Sequence, residues 1–333
     1  MRKPDYSNFS TYKQKAFSMD MDSPVKGLII INNGLYAFCE KSIYRIIMGT
    51  ERDSQNQYLL SPNTKSKILN KGVENSLVAN FFYFLEGIEQ KHFGKYQAIT
   101  FSKRTNIEQV KGIIFQILLN CASFEDSYID FANSFNEQLN KLDVPEYANN
   151  FEIKAFMPNL EKKVKDIIIT ECGSILNKLS RLLTAFYGTS LSENIKNSIM
   201  KHDKRIDNAV RILISQNLVS ENGCLATFVK EQNSKFLAKL VDIRNALEHP
   251  DHNKFIQINN FSLSPDRTYV YPNWELNLPD KYEKRGLITD IENLCKDFVH
   301  FAMVFIWKLL EESFEEYSFC EEGKVYKYTK PKI

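Results

Sequence analysis

Residues Leu225 to Pro250, LATFVKEQNSKFLAKLVDIRNALEHP, decide how the chain is read. Leu225, Phe228, Val229, Phe236, Leu237, Leu240 and Leu247 recur at helical spacing and outline a buried face over a helix of about Leu225 to Glu248. Arg244 is four residues past Leu240 and three before Leu247. At about 100° per residue it falls on or beside that apolar stripe. A guanidinium in such a place costs free energy unless something anionic meets it. A carboxylate or a phosphate would serve, and lysine would serve less well because it lacks the planar fork. Asn245 and His249 are four apart and share an adjacent face. Pro250 biases the residue before it out of the helical region. His249 is therefore expected at the helix's C-terminal end, where the chain turns away and the dipole favours the imidazolium.

Working outward, the second half reads as strongly helical. From Leu160 to Phe186, Val164, Ile167, Ile168, Ile175, Leu179, Leu182 and Leu183 make one stripe; Pro158 suits a first helical turn and Gly188 stops the pattern. Ser190 or Ser192 caps a further helix to about Leu218, with Ile195, Ile199, Ile206, Val210 and Leu213 inward. Between Pro250 and Arg285 the runs Phe255–Leu263 and Thr268–Tyr271 flank Ser264-Pro265-Asp266-Arg267, a type I turn signal. This predicts a β-hairpin inserted between helices over about 250–285. The last helix runs from Leu287 to about Glu316 and is apolar nearly all round between Phe298 and Leu310, with His300 expected in the core.

The first half begins with a polar stretch, Met1 to Met21, that has no secretory pattern. Gly27–Ile31, Leu35–Cys39 and Ile43–Met48 read as a hairpin or three-stranded ribbon, turning at Asn32-Asn33-Gly34. Helical spacing starts at Glu74, with Leu77, Phe81, Phe82 and Leu85, and ends at Gly94. It resumes near Asn106 with Val110, Ile113, Ile114, Ile117 and Leu118, and reaches Leu142 with an interruption expected near Cys121 to Glu125. Asp143 to Ala155 reads as a linker, giving a domain over residues 1–150 and another over 151–333.

The 333 residues carry a net charge of +2, so no strong overall field draws in nucleic acid and any such contact needs a local patch. A hydrophobic fraction of 43% argues for packed cores and against disorder. Six scattered cysteines with no C-x-x-C pair disfavour a zinc site or disulfide framework and fit reduced thiols in a cytoplasmic protein. The most apolar run, Phe298 to Leu310, is too short for a bilayer, which needs about 20 residues.

Arginine holds a phosphate bidentately and histidine moves protons near neutral pH, so Arg244, Asn245 and His249 together suit RNA cleavage without a metal. The same residues also fit a structural role, with the histidine a helix end and the arginine paired to a nearby glutamate. The six residues Arg244 to His249 resemble the R-x4-6-H signature of the HEPN superfamily in its Arg-polar-x-x-x-His form, set in helical surroundings over about Phe156 to Glu316. The resemblance implies a mainly α fold, a HEPN-like bundle in the C-terminal half beside a small β element and helices in the N-terminal half. It implies a homodimeric, metal-independent endoribonuclease of toxin–antitoxin, abortive-infection or phage-defence systems, with no cofactor. By position, Arg244 would polarise the scissile phosphate, His249 would act as acid–base, Asn245 would orient them, and the ribose 2′-OH would attack. An antitoxin or a phage-derived trigger would be a partner, and no membrane is implied. One subset of the family carries a modified tyrosine two residues after the histidine; Asp251 stands there, so that modification is not implied. The rival is a non-catalytic HEPN-like dimerisation or scaffold module with Arg244 in a structural ion pair.

Other candidates are weaker. Lys324, Lys327, Lys330 and Lys332 alternate with Tyr326 and Tyr328 in the tail, where bases could stack and lysines neutralise phosphate. A solvated edge strand blunted by lysines explains the same pattern. His249 and His252 could form a metal pair, but no further ligand is near in sequence, so no metal is assigned. His202 reads as an exposed helical residue, and Phe81 to Phe84 as core.

Overall fold

A computed structural model of the chain describes residues 25–31, 34–39, 43–46, 65–67, 96–101, 105–142, 155–201, 205–266, 268–278, 281–321 and 324–329. The expected leader, the helix from Glu74 to Gly94 with Phe81 to Phe84, the linker at 143–154 and His202 lie outside them. Among the described residues the protein is mainly α-helical, with small antiparallel sheets. Two compact units divide the chain: residues 1–122, 185–190 and 313–333 form one, and 123–184 with 191–312 form the other.

In the first unit, β1 (Val25–Ile31), β2 (Gly34–Cys39), β3 (Ile43–Ile46) and β4 (Lys65–Lys67) make one antiparallel sheet in chain order. Ile31 pairs with Gly34, the last residue of the turn signal read from the sequence. The ribbon thus has a fourth strand, β4, whose Lys-Ser-Lys sequence carries no apolar alternation. A second sheet has the order β12-β11-β5, from β5 (Tyr96–Phe101), β11 (Phe314–Glu321) and β12 (Lys324–Thr329). In its register Tyr326 stands opposite Phe319, Tyr328 opposite Tyr317, Lys324 opposite Glu321 and Lys327 opposite Ser318.

Helix α1 (Ile107–Leu142) begins in the first unit and ends in the second. It is not interrupted at Cys121 to Glu125 as its polar residues suggested. Cys121, Phe124 and Phe131 continue the buried stripe of Ile114, Ile117 and Leu118, so the pattern never leaves helical register and Ser123 simply faces outward.

In the second unit, α2 (Leu160–Lys165), a π-helical turn (Asp166–Glu171) and α3 (Cys172–Tyr187, its last three residues assigned to the first unit) follow without a break. Helix α2 starts after Asn159, whose φ of 55° is left-handed, so Pro158 precedes the helix rather than opening its first turn. Val164, Ile167, Ile168, Ile175, Leu179, Leu182 and Leu183 are all buried. Helices α4 (Glu193–Lys201) and α5 (Ile206–Ser215) share the span expected of one helix. Helix α6 (Cys224–Gln232), a second π-turn (Asn233–Leu237) and α7 (Ala238–Glu248) follow.

Between α7 and α8 (Leu287–Ser313) lie β6 (Phe255–Asn259), β7 (Ser262–Leu263), β8 (Tyr269–Val270), β9 (Asn273–Leu278) and β10 (Lys281–Gly286). They form a three-stranded sheet, β10-β9-β6, and a separate β7–β8 ladder. Buried Trp274 and Leu276 face inward from β9. The Trp274 indole donates to Asp290 at 2.8 Å, and Arg285 pairs with the same carboxylate at 2.7 Å. Asp290 lies in the first turn of α8, where the helix dipole also favours a negative charge.

The core of this unit is aromatic. Phe298 and Phe301 on α8 stack at 6.1 Å; Phe124 of α1 meets Phe298 edge-on, Phe228 of α6 stacks on Phe301, and Phe236 of the π-turn meets both. His300 is exposed, not in the core; it shares the outward face with Asp297 while its apolar neighbours turn in. Among the described residues no helix is long and apolar enough to cross a membrane.

Burial, reinforced by Asp126, pushes the Glu125 carboxyl up to about 7 from 4.5, and one of its oxygens is buried without a hydrogen-bond partner. A folded-state pKa above the unfolded value means that the native chain holds the extra proton between those values, so stability falls as pH rises through that window. We expect Glu125→Gln to flatten the decline in melting temperature between pH 5 and 7 and to melt above wild type at pH 8. Equal slopes in the two proteins would contradict this account of Glu125.

Candidate functional site

The site is built on the last two turns of α7. An unbroken helix from Leu225 would set Arg244 about 100° from Leu225, at the edge of the stripe. The π-turn at Asn233–Leu237 takes up an extra residue per turn and rotates the following residues back toward the core. Leu240, Val241, Ile243, Arg244, Ala246 and Leu247 are accordingly all buried, with Arg244 only 5% exposed. Helix α7 packs against β6, β9 and the first π-turn, Asp166–Glu171.

The Arg244 guanidinium lies against Gly173, the second residue of α3. A Cβ built there would stand 3.4 Å from Nε and 3.8 Å from Nη2. Any side chain larger than a methyl would displace the guanidinium. One nitrogen, Nη2, reaches a Glu248 carboxylate oxygen at 3.0 Å, an i,i+4 ion pair. Nε and Nη1 are buried and meet no acceptor. Buried donors without partners cost about 1–3 kcal/mol each, so this is an incompletely satisfied arginine.

Asn245 is half-buried, and its carbonyl oxygen accepts the His249 backbone N–H at 2.8 Å. His249 has left the helix, with φ −136° and ψ 70°, as the following proline requires. It is exposed, together with Pro250, Asp251, His252 and Asn253. The structure thus puts the arginine inside and the histidine outside, at the end of the same helix. Among the described residues no three of His, Cys, Asp and Glu gather as a metal ligand set. For Lys324, Tyr326, Lys327 and Tyr328 the structure gives backbone placement on β12.

Glu248, whose sequence position reads as a solvated helix end or a partner orienting His249, turns inward instead, and Gly173 is a contributor that sequence spacing does not reveal. Glu248 is the carboxylate that meets Arg244, and its i,i+4 spacing was the available signal. Gly173 had no local signal, because it matters only through the chain that packs against it. Beside the second π-turn an open groove of about 270 Å³ is lined by Asn233, Lys235, Lys239, Asp242, Leu276 and Glu283; neither Arg244, Asn245 nor His249 lines it.

Replacing a buried, incompletely paired charge by an apolar side chain of similar length is often neutral or stabilising, whereas removing its only partner is not. Arg244→Met should leave the unfolding free energy from urea titration within about 1 kcal/mol of wild type or raise it, because it removes a buried charge with two unmet donors. Glu248→Ala should cost about 2 kcal/mol or more. The opposite order would show that the pair is a net stabiliser of the fold.

No family model, curated protein or solved structure matches the chain.

Proposed function

We propose that the chain is a metal-independent endoribonuclease of the HEPN type, its C-terminal half a HEPN-like bundle with a β insertion and its active form a homodimer. One observation carries the reading: a buried arginine with two unmet guanidinium donors, five residues before an exposed histidine at a helix end. Unmet N–H groups are what a phosphate diester supplies with acceptors. In this reading Arg244 binds the non-bridging oxygens and His249 transfers the proton. The bond from the 2′-oxygen to phosphorus forms as the bond to the 5′-oxygen breaks. The proton leaves the 2′-OH and one is delivered to the departing 5′-oxygen, which leaves a cyclic phosphate. Asn245 orients the two side chains. A second copy would bring its own His249 to the same cleft, and the tail lysines and tyrosines would add weak RNA contacts. The setting is cytoplasmic defence or toxin–antitoxin control, with an antitoxin or a phage-derived trigger as partner.

A second reading has its own support. Arg244 is covered and already holds a carboxylate at 3.0 Å, which suits a non-catalytic dimerisation or scaffold module. The two readings separate in one assay. Purified protein is incubated with total RNA in chelator and the cut ends are mapped. The endoribonuclease yields fragments with cyclic phosphate ends. Arg244→Ala and His249→Ala lower the rate on the order of 100-fold or more, with unchanged circular dichroism. Variants that cut like wild type, or a wild type that does not cut, would leave the scaffold reading.

A further inference from the structure

We propose that the groove beside the second π-turn is a binding site for a small zwitterion, a free α-amino acid with an aliphatic side chain. The inference does not rest on the endoribonuclease reading. Asp242, its central residue, lies about 200° round α7 from Arg244, and neither Arg244 nor His249 lines the groove.

The groove is open to solvent and has room for such a ligand. It holds about 270 Å³ and is lined from the π-turn, from α7 and from strands β9 and β10. Leu276 and Leu278 of β9 and Ala238 of α7 make its lining apolar, and Lys235, Lys239, Asp242 and Glu283 add charge. Apolar surface with a few convergent polar groups is the usual make-up of a small-molecule site.

These charges are not all matched. Of the residues three or four positions from Asp242 on the helix, Ala238, Lys239, Asn245 and Ala246, only Lys239 is a cation. Lys239 is turned to the sheet instead and meets Glu283 at 2.7 Å. The Asp242 side chain is half-buried and has no ion pair or hydrogen bond among the described residues. A carboxylate partly withdrawn from water carries a cost that an arriving cation offsets. Aspartate is also a poor helix-interior residue, so helix propensity does not account for it.

Lys235 is the opposite charge. In an unbroken α-helix Glu231 and Lys235, four apart, would pair. The π-turn begins at Asn233 and breaks that spacing. Lys235 lines the groove instead, with no carboxylate on it among the described residues. Seven residues separate it from Asp242, roughly 10 Å along the axis, a gap that the long lysine stem shortens. One unmatched cation, one unmatched carboxylate and leucine side chains in the same groove fit a ligand that carries the complementary set. Its ammonium meets Asp242, its carboxylate meets Lys235, and its aliphatic side chain lies on Leu276 and Leu278. A free α-amino acid bears all three groups on one carbon. A residue inside a peptide bears neither charge, and a peptide's first residue lacks the carboxylate.

The test titrates the full chain with leucine by ligand-observed NMR. Binding should saturate with a Kd on the order of 1 mM, as expected of so small a ligand in an open site. N-acetyl-leucine lacks the ammonium and leucinamide lacks the carboxylate; each should bind about tenfold more weakly, or worse. Glycine, with nothing to lay on the leucines, should also bind more weakly. Asp242→Asn should weaken leucine about tenfold and leave N-acetyl-leucine unchanged. Lys235→Met should weaken leucine by a similar factor and leave leucinamide unchanged. Lys230→Met, at an exposed position on α6 outside the groove, controls for net charge and should alter neither.

Absence of saturable leucine binding up to about 10 mM overturns the proposal. Leucinamide or a leucine-headed tripeptide binding as tightly as leucine overturns it in favour of a peptide's N-terminus. N-acetyl-leucine binding as tightly reduces the site to an apolar groove, and equal losses in Lys230→Met and Lys235→Met reduce it to net charge. The ligand comparisons are made on wild type, so they decide the matter even where a variant fails to fold. No arm reads RNA cleavage, so failure here and failure of the endoribonuclease reading are separate results.

Discussion

A guanidinium in an apolar interior is the constraint around which the second unit is arranged. Its charge cannot be left alone there, and its five donors cannot all be met by one carboxylate. Each neighbouring feature answers part of that demand. The π-turn at Asn233–Leu237 brings Arg244 into the buried arc of α7. Gly173 lets the guanidinium lie against its backbone, where a Cβ would stand 3.4 Å from Nε. Glu248 supplies one negative charge from the next turn, 3.0 Å from Nη2. What the fold omits is as informative, because Nε and Nη1 are sealed without partners. Unmet buried polar groups in a native chain mark either a tolerated cost or a place kept for something absent.

The rest of the unit fixes α7 rather than adding to its chemistry. The α8 phenylalanines clamp α6 and the second π-turn from one side, through Phe228 and Phe236. The sheet covers α7 through β6 and β9. That sheet is tied to α8 at one carboxylate, where Asp290 accepts the Trp274 indole and holds Arg285. It is tied to α7 at another, where Glu283 of β10 pairs with Lys239 at 2.7 Å. The Asp290 contacts are charge-assisted and the Trp274 ring is buried, so sheet and helices are locked together by few but directional bonds.

Local signals were legible in the sequence and distant ones were not. Arg244 on or beside the stripe, and His249 leaving the helix before Pro250, followed from spacing and from proline sterics; the π-turn then carries Arg244 fully inside. The strands Gly27–Ile31 and Leu35–Cys39 were readable for the same reason, since β-branched runs flank a turn signal. The π-turns were not readable, because an extra residue in a helix leaves the apolar pattern nearly intact and shifts only its phase. Strand β10, Lys-Tyr-Glu-Lys-Arg-Gly, has almost no apolar alternation because it is an edge. Strand β9 alternates well, yet Pro272 and Pro279 disguise it as loop. Strand β11 pairs with β5 more than 200 residues earlier, a partner that no local window contains. His300 sat in so apolar a run that the run hid its face.

The contrast between the two motif side chains carries the last step. Stability favours an arginine that is covered and paired; phosphate chemistry favours one that is open and unpaired. A single rigid geometry cannot meet both demands, and the conflict is a common reason for active groups to be held in a strained or partly satisfied state. In the endoribonuclease reading, position would resolve it. The guanidinium is kept inside by the apolar packing of α7, where leaving would expose Leu240 and Leu247. Glu248 is the last residue of the helix and His249 the first outside it, so carboxylate and imidazole stand at the terminus. An ion pair across two long helices would have locked the arginine from both sides. An ion pair within the final turn locks it only as firmly as that turn is held.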